Sequence, residues 1–234
     1  MNQPLGYRKP TPGTVPILLF PAYKSTVKRA PQKEPAAVEA TLCEVTGPQP
    51  TAELFGSASG DLTHFDGGEA LGERIIVFGR VLDDKARPVR GALVEAWQAN
   101  AAGRYANPGD RHEAPLDPHF QGVGRVVTGP EGEYRFLTIR PGAYPWGNSY
   151  NSWRPAHIHF SLFGAGLANR LVTQMYFPGD PLLPLDPIFN SVPDPEARQL
   201  LVCSLDLAST RPAYALAYRF DIVLRGRYAT PMDE

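Results

Sequence analysis

The sequence predicts an all-β chain folded as an antiparallel β-sandwich, with a long proline-rich N-terminal arm and one short helix near residues 194–205. Three observations carry that expectation. Short β-branched and aromatic runs recur through residues 71–234, each bounded by Gly, Pro or Asp clusters. Only one stretch carries the punctuation of a helix, and Gly and Pro make up about a fifth of the 234 residues. That share lies below the roughly 25–30% of low-complexity chains and fits a fold with many turns.

Residues 1–70 read as an extended arm that wraps the core or a partner chain. Prolines at 4, 10, 12, 16, 21, 31, 35, 48 and 50 forbid long helices and central strands there. Within the arm, Phe20-Pro21-Ala22-Tyr23-Lys24 offers one phenol that either packs the arm down or reaches a distant pocket.

Residues 71–234 read as one domain. Arg74 to Leu82 is a strand, Asp83 to Pro88 a turn cluster, and Ala92 to Gln98 the returning strand, with Leu93, Glu95 and Trp97 on one face. A loop follows through Gly103-Arg104-Tyr105 and Asn107-Pro108-Gly109-Asp110. Val123–Val127 and Tyr134–Ile139 are strands on either side of Gly129-Pro130-Glu131-Gly132-Glu133. Pro141-Gly142 then presents Ala143-Tyr144-Pro145-Trp146 in an irregular loop. Residues 157–163 and 170–177 are the next two strands, followed by a proline-rich loop over 178–193. Asp194-Pro195-Glu196 has an N-cap followed by proline at the first helical position, which predicts a helix of about three turns over Ala197–Leu205. Tyr214 to Arg225 is long and apolar enough for a central strand.

Composition narrows the function classes. A net charge of −1 gives no electrostatic reason to expect nucleic acid or a membrane surface as partner. Two cysteines, Cys43 and Cys203, make neither a disulfide framework nor a Cys-x-x-Cys motif, which leaves a reducing cytoplasm as the default. No apolar run approaches the ~18–20 residues of a membrane span.

Candidate chemistry centres on Trp153-Arg154-Pro155-Ala156-His157-Ile158-His159-Phe160. On a strand, His157 and His159 share a face with Cα atoms roughly 6.5–7 Å apart, close enough for both imidazoles to meet one metal. Taken alone, the pair is as readily a hydrogen-bonded or surface pair. Tyr105 and Tyr144 sit in Gly- or Pro-flanked loops at strand ends, where functional groups are often held, although single loop tyrosines usually just pack. Together the four residues make a candidate set of two nitrogens and two oxygens.

These residues fall in motifs that resemble the intradiol ring-cleaving dioxygenases. The motifs are Gly79-Arg80-Val81, Trp97-Gln98-Ala99-Asn100, Gly103-Arg104-Tyr105, Pro141 to Trp146 and Trp153 to Phe160. The resemblance extends from Tyr23-Lys24-Ser25-Thr26 in the arm to Tyr218–Gly226. It implies one mononuclear Fe(III) held by Tyr105, Tyr144, His157 and His159, and O2-dependent cleavage of a small aromatic diol between its two hydroxylated carbons. It also implies Arg154 and Gln174 as catalytic groups beside Tyr144, and a substrate pocket lined by Tyr23, Trp146 and Ile188. Trp97 is either a wall of that site or a core residue. The resemblance further implies a homologous α-type chain as partner in a hetero-oligomer. Hard, trivalent iron matches phenolate oxygen, whereas structural zinc prefers thiolates and imidazoles.

Two rivals stand beside that expectation. Catechol and hydroxyquinol dioxygenases share the ligand set, but they carry an N-terminal helical segment that these prolines do not allow. A non-catalytic sandwich module needs the same turns and core faces, and gives no reason for the two tyrosines and two histidines to converge. His64, His112, His119 and Gly147 receive no role.

Overall fold

The structure, a computed structural model, describes residues 10–33, 59–163 and 171–232. Readings that fall on 1–9, 34–58, 164–170 and 233–234, including most of the arm's second half and Cys43, lie outside the described residues.

The first sheet is antiparallel throughout, in the order β10-β9-β4-β5. Its strands are β4 (Leu93–Trp97), β5 (Val123–Val127), β9 (His157–Phe163) and β10 (Leu171–Tyr176). The second is built on β3 (Arg74–Leu82), the longest strand of the described residues, paired antiparallel to β6 (Glu133–Ile139) from Arg74↔Ile139 to Arg80↔Glu133. The expected antiparallel sandwich therefore stands, with one departure on the other edge of β3. There β12 (Leu216–Arg219) and β13 (Ile222–Val223) run parallel to it, and β11 (Ser204–Leu205) pairs outside β12.

The run Tyr214–Arg225 is thus two short strands rather than one central strand. Its interruption has a local cause. Asp221 Oδ1 takes the Arg80 N–H at 3.0 Å, a bond a continuous ladder would make with backbone.

The sheets pack face to face through Val77, Val81, Tyr134, Phe136 and Ile139 on one side and Val94, Ala96, Ile158, Phe160, Leu162 and Met175 on the other. Phe160 joins them, with its ring 5.8 Å from Tyr134, 6.2 Å from Phe136 and 5.4 Å from Phe220. Because side chains alternate along a strand, committing Ile158, Phe160 and Leu162 to this core turns His157 and His159 to the outer face of the sheet. An antiparallel sheet often leaves that face to water. Here loops cover it so fully that His157 is 1% exposed.

The helices are short. The expected helix near 194–205 is α3 (Pro195–Gln199), which follows α1 (Lys24–Arg29) and α2 (Pro187–Asn190) among the described residues. Asp194 caps α3 as expected, accepting from Glu196 N at 2.9 Å, but the helix ends at Gln199. Its last carbonyls are met by Leu200, Leu201 and Val202 in a tight turn, and the chain then enters β11. Helices α2 and α3 seat Phe189, Ala197 and Leu201 around Tyr176 at the end of β10.

The arm is not uniformly extended. Thr26, 1% exposed, bonds through its hydroxyl to the carbonyls of Phe20 and Tyr23 and so closes α1 onto the residues before it. Residues 59–70 carry Leu62 and Ala70 into the core and form the small hairpin β1 (His64–Phe65) and β2 (Gly68–Glu69).

Candidate metal centre and active site

The register of the first sheet assembles one side of the site. Trp97 and Gln174 both stand opposite His159, and Tyr176 stands opposite His157. Directly paired residues share a face, so these side chains meet over the histidines. Trp97 stacks flat on His159, with rings 4.8 Å apart and 2° from parallel. It is therefore a wall of the site and fixes the ring plane of His159.

Two loops bring the tyrosines. Asn100, buried, accepts from Ala102 N and Arg104 N, and Asp110 Oδ2 accepts from Tyr105 N at 2.8 Å, so the Tyr105 loop is fixed at both ends. Tyr144 was expected in an irregular loop. It lies instead in a two-residue strand, β7 (Tyr144–Pro145), paired with β8 (Trp153–Arg154), and its rung partner is Arg154. Glycine lets the two loops touch. Gly103 adopts φ +80° at a point where a Cβ would fall 2.1 Å from the Ala143 carbonyl.

The four candidate ligands converge. The rings of His157 and His159 are 4.8 Å apart, Tyr144 is 5.4 Å from His157, and Tyr105 is 5.3 Å from Tyr144 and 6.4 Å from His159. The Tyr144 hydroxyl is 3.2 Å from His157 Nε2. His157 Nδ1 donates to the Pro155 carbonyl at 2.7 Å, which fixes the tautomer and leaves the Nε2 lone pair facing the tyrosines.

Burial, with help from the Arg154 cation, holds His157 well below its ordinary pKa and pushes His159 down to about 3, so both imidazoles are neutral. Burial, reinforced by the Tyr144 phenol, raises Tyr105 far above the ordinary phenol value, and burial against the opposing pull of Arg154 raises Tyr144. These are donors that need a strong cation to release their protons. The Tyr105 hydroxyl is buried with no hydrogen-bond partner among the described residues, a costly state that a metal ion would relieve. Two neutral imidazoles and two phenols, one of them unpartnered, fit a hard, highly charged ion.

Arg154 lies beside this set, 3% exposed, with Nη1 3.4 Å from His157 Nε2 and its guanidinium over the Trp146 ring. Its Nη2 donates to Gln174 Oε1 at 2.6 Å, Tyr176 Oη at 2.9 Å and Asp186 Oδ2 at 2.8 Å. Sequence reasoning missed Tyr176 and Asp186. Tyr176 gave no local cue, but Asp186-Pro187 repeats the cap-and-proline pattern of Asp194-Pro195 inside a stretch read as plain loop.

The expected pocket residues are brought near to different degrees. Tyr23 meets Trp146, rings 5.5 Å apart, because Asn148 ties the arm to the Tyr144 hairpin through Lys24 N and the Ala22 carbonyl, both at 2.9 Å. Ile188 lines a small cavity with Gln174, Tyr176, Val192 and Leu201. His112 and Gly147, unassigned from sequence, line an open cleft of about 440 Å³ with Trp146, Asp110, Arg111 and Glu113. His64 is exposed beside Asp61 and Glu69, and His119 bonds the Phe65 carbonyl.

Comparison with known proteins meets this geometry. A family model described as "Dioxygenase" matches residues 45–226, and one described as the N-terminal segment of the protocatechuate 3,4-dioxygenase beta subunit matches residues 7–41. The chain belongs to the intradiol dioxygenase family. This dioxygenase is 56% identical over 220 residues to the protocatechuate 3,4-dioxygenase beta chain of Burkholderia cepacia, with 93% of each chain covered. It is 31% identical over 167 residues to the alpha chain of Pseudomonas putida, covering 69% of this chain and 76% of that one. Among solved structures, the dioxygenase domain of a carbohydrate-binding fusion protein from Streptomyces sp. SirexAA-E superposes with a TM-score of 0.52 at 28% identity, covering 76% of this chain and 94% of that one. The family is one of non-haem iron enzymes. No helix of the described residues is long and apolar enough to cross a membrane.

The contact between the two tyrosine loops gives a test of the dioxygenase's architecture. Gly103→Ala is expected to push the Tyr105 loop off the Ala143 carbonyl and weaken iron retention by roughly 10–100-fold, the usual cost of losing an outer support of a metal site. Iron per chain after dialysis against a chelator checks it.

Proposed function

We propose that this chain is the iron-bearing β subunit of a protocatechuate 3,4-dioxygenase. It uses O2 to cleave 3,4-dihydroxybenzoate between its hydroxylated carbons, giving 3-carboxy-cis,cis-muconate in aromatic catabolism by the β-ketoadipate pathway. The observation that carries the reading is the convergence of Tyr105, Tyr144, His157 and His159 over one sheet face, in a chain so similar to a beta chain of that name. Its partner is a homologous α chain, and its compartment is the cytoplasm, where two cysteines without a disulfide framework are at home.

One Fe(III) would be held by Tyr105, Tyr144, His157 and His159, and when bound it would supply the Lewis acidity that makes a catechol hydroxyl acidic. Tyr144, as the phenolate of that ligand set, would be the base for a substrate hydroxyl proton, its Oη lying 3.2 Å from His157 Nε2. Arg154 sets a permanent cation beside the ring and stabilises the negative charge that builds there on reaction. Gln174 and Tyr176 hold that guanidinium in place. Tyr23 and Trp146 wall the substrate side, with the Tyr23 hydroxyl as donor to the ring carboxylate. The N-terminal arm, residues 1–70, would wrap either the core or the α chain, with residues 71–234 as the catalytic unit.

The experiment is co-production with the homologous α chain and ferric loading. Tyrosinate-to-iron charge transfer is expected to colour the assembly red to purple, protocatechuate to shift the colour, and O2 uptake to yield the muconate. A colourless assembly that stays inert after loading refutes the reading. Faster turnover of catechol or hydroxyquinol than of protocatechuate moves it to the sister activities.

A further inference from the structure

Arg154, 3% exposed, sets a buried, fixed cation beside the ligand set, and its surroundings divide its nitrogens into two sets. Nε and Nη2 face Asp186 Oδ2 at 3.3 and 2.8 Å, and Nη2 also donates to Gln174 and Tyr176. Nη1 is turned the other way, toward His157 Nε2. Asp186 is 0% exposed, and its other oxygen, Oδ1, accepts from Ile188 N at 3.0 Å in the first turn of α2. One carboxylate therefore grips a helix end with one oxygen and the edge of a guanidinium with the other.

We propose that Asp186 is a positioning residue for ring cleavage, fixing the plane of Arg154 so that Nη1 faces the ligand set. The inference rests on the function proposed above. Neither helix capping nor stability accounts for burying this carboxylate. Asp194 performs the same Asp-Pro capping on α3 with its partner Arg227 at the surface. A buried ion pair is weak evidence for stability, since an apolar replacement of similar volume is often neutral or better. What a buried carboxylate does give is a fixed direction, because the two ends of Arg154 can no longer exchange places without breaking bonds to Asp186, Gln174 and Tyr176.

Asp186→Asn separates positioning from capping. The amide oxygen can keep the Ile188 bond, which leaves the NH2 facing Nε and Nη2, donor against donor. In the iron-loaded assembly with its α partner, kcat is expected to fall about 100-fold, the order of loss from misplacing a catalytic group by an ångström. KM, iron content and the visible absorption of the resting enzyme stay near the parent's, and Asp194→Asn keeps the parent kcat. In an Arg154→Ala background, Asp186→Asn is expected to lower kcat no further, because its effect passes through the arginine. A parent-like kcat for Asp186→Asn, or a second loss of similar size in that background, overturns the proposal. If the parent assembly cleaves no ring at all, the functional reading fails instead. A crystal structure of Asp186→Asn then judges the positioning alone, and a guanidinium still seated on Gln174 and Tyr176 overturns it.

Discussion

Replacing His159 by alanine is expected to strip the iron from the protein while leaving the sandwich folded. His159 is one of two neutral nitrogens in the proposed ligand set, and its ring plane is fixed by the flat stack on Trp97. Removing it leaves three donors and an apolar void beside the indole. Loss of an outer support weakens metal binding by roughly 10–100-fold, and loss of a direct ligand should exceed that range. The core does not depend on the ring, because Ile158 and Phe160 point to the opposite face. Elemental analysis and the visible spectrum should therefore report an iron-poor, pale protein with a parent-like circular dichroism spectrum. Full iron occupancy in His159→Ala would remove His159 from the ligand set.

Arg154→Ala is expected to keep the iron and lose catalysis. The substitution deletes the cation proposed to stabilise the substrate ring, and removal of one charge-stabilising donor typically lowers kcat by about 10²–10³-fold. A second effect follows from the geometry. Asp186 is left as a buried carboxylate without its cation, and breaking a buried pair on one side costs about 3–5 kcal/mol. The variant should thus unfold at a clearly lower temperature than the parent, and Asp186→Asn placed on top of it should return part of that loss. Stopped-flow turnover with protocatechuate measures the first effect, and calorimetry the second. Unchanged kcat with full iron occupancy would show that the cation plays no part in the chemistry.

The legible and illegible parts of this molecule differ in a physical way. Strands such as Arg74–Leu82 and His157–Phe163 could be read because apolar alternation and turn residues are local properties. The same-face placement of His157 and His159 also follows from the period of a strand. Tyr105 and Tyr144 stood out only as loop tyrosines, and Arg154 and Gln174 received roles through resemblance alone, since nothing in their neighbourhoods says they meet. Their meeting depends on register, with Gln174 opposite His159 and Tyr144 opposite Arg154, and register is fixed by the folded sheets. Asp186 was missed for the same reason, because its partner lies 32 positions away. The helix near 194–205 was overdrawn because a start signal is local, whereas its end at Gln199 is set by the chain's turn into β11. The parallel course of β12 and β13 against β3 is likewise a matter of topology and leaves no trace in composition.

That parallel edge bears on the order of events as the chain is made. Leu216 pairs with Ile75 and Ile222 with Val81, so the second sheet cannot be completed until the last strands have emerged and travelled back to the first. Closing so long a loop is slow, because chain entropy is lost before any contact rewards it. A nascent chain halted before Leu216 already holds every one of the proposed iron ligands. It lacks Tyr218, Phe220 and Ile222, which belong to the core beneath the histidine strand. Possession of the donor atoms and the ability to hold them still are therefore separated in time, and iron capture should lag synthesis rather than accompany it.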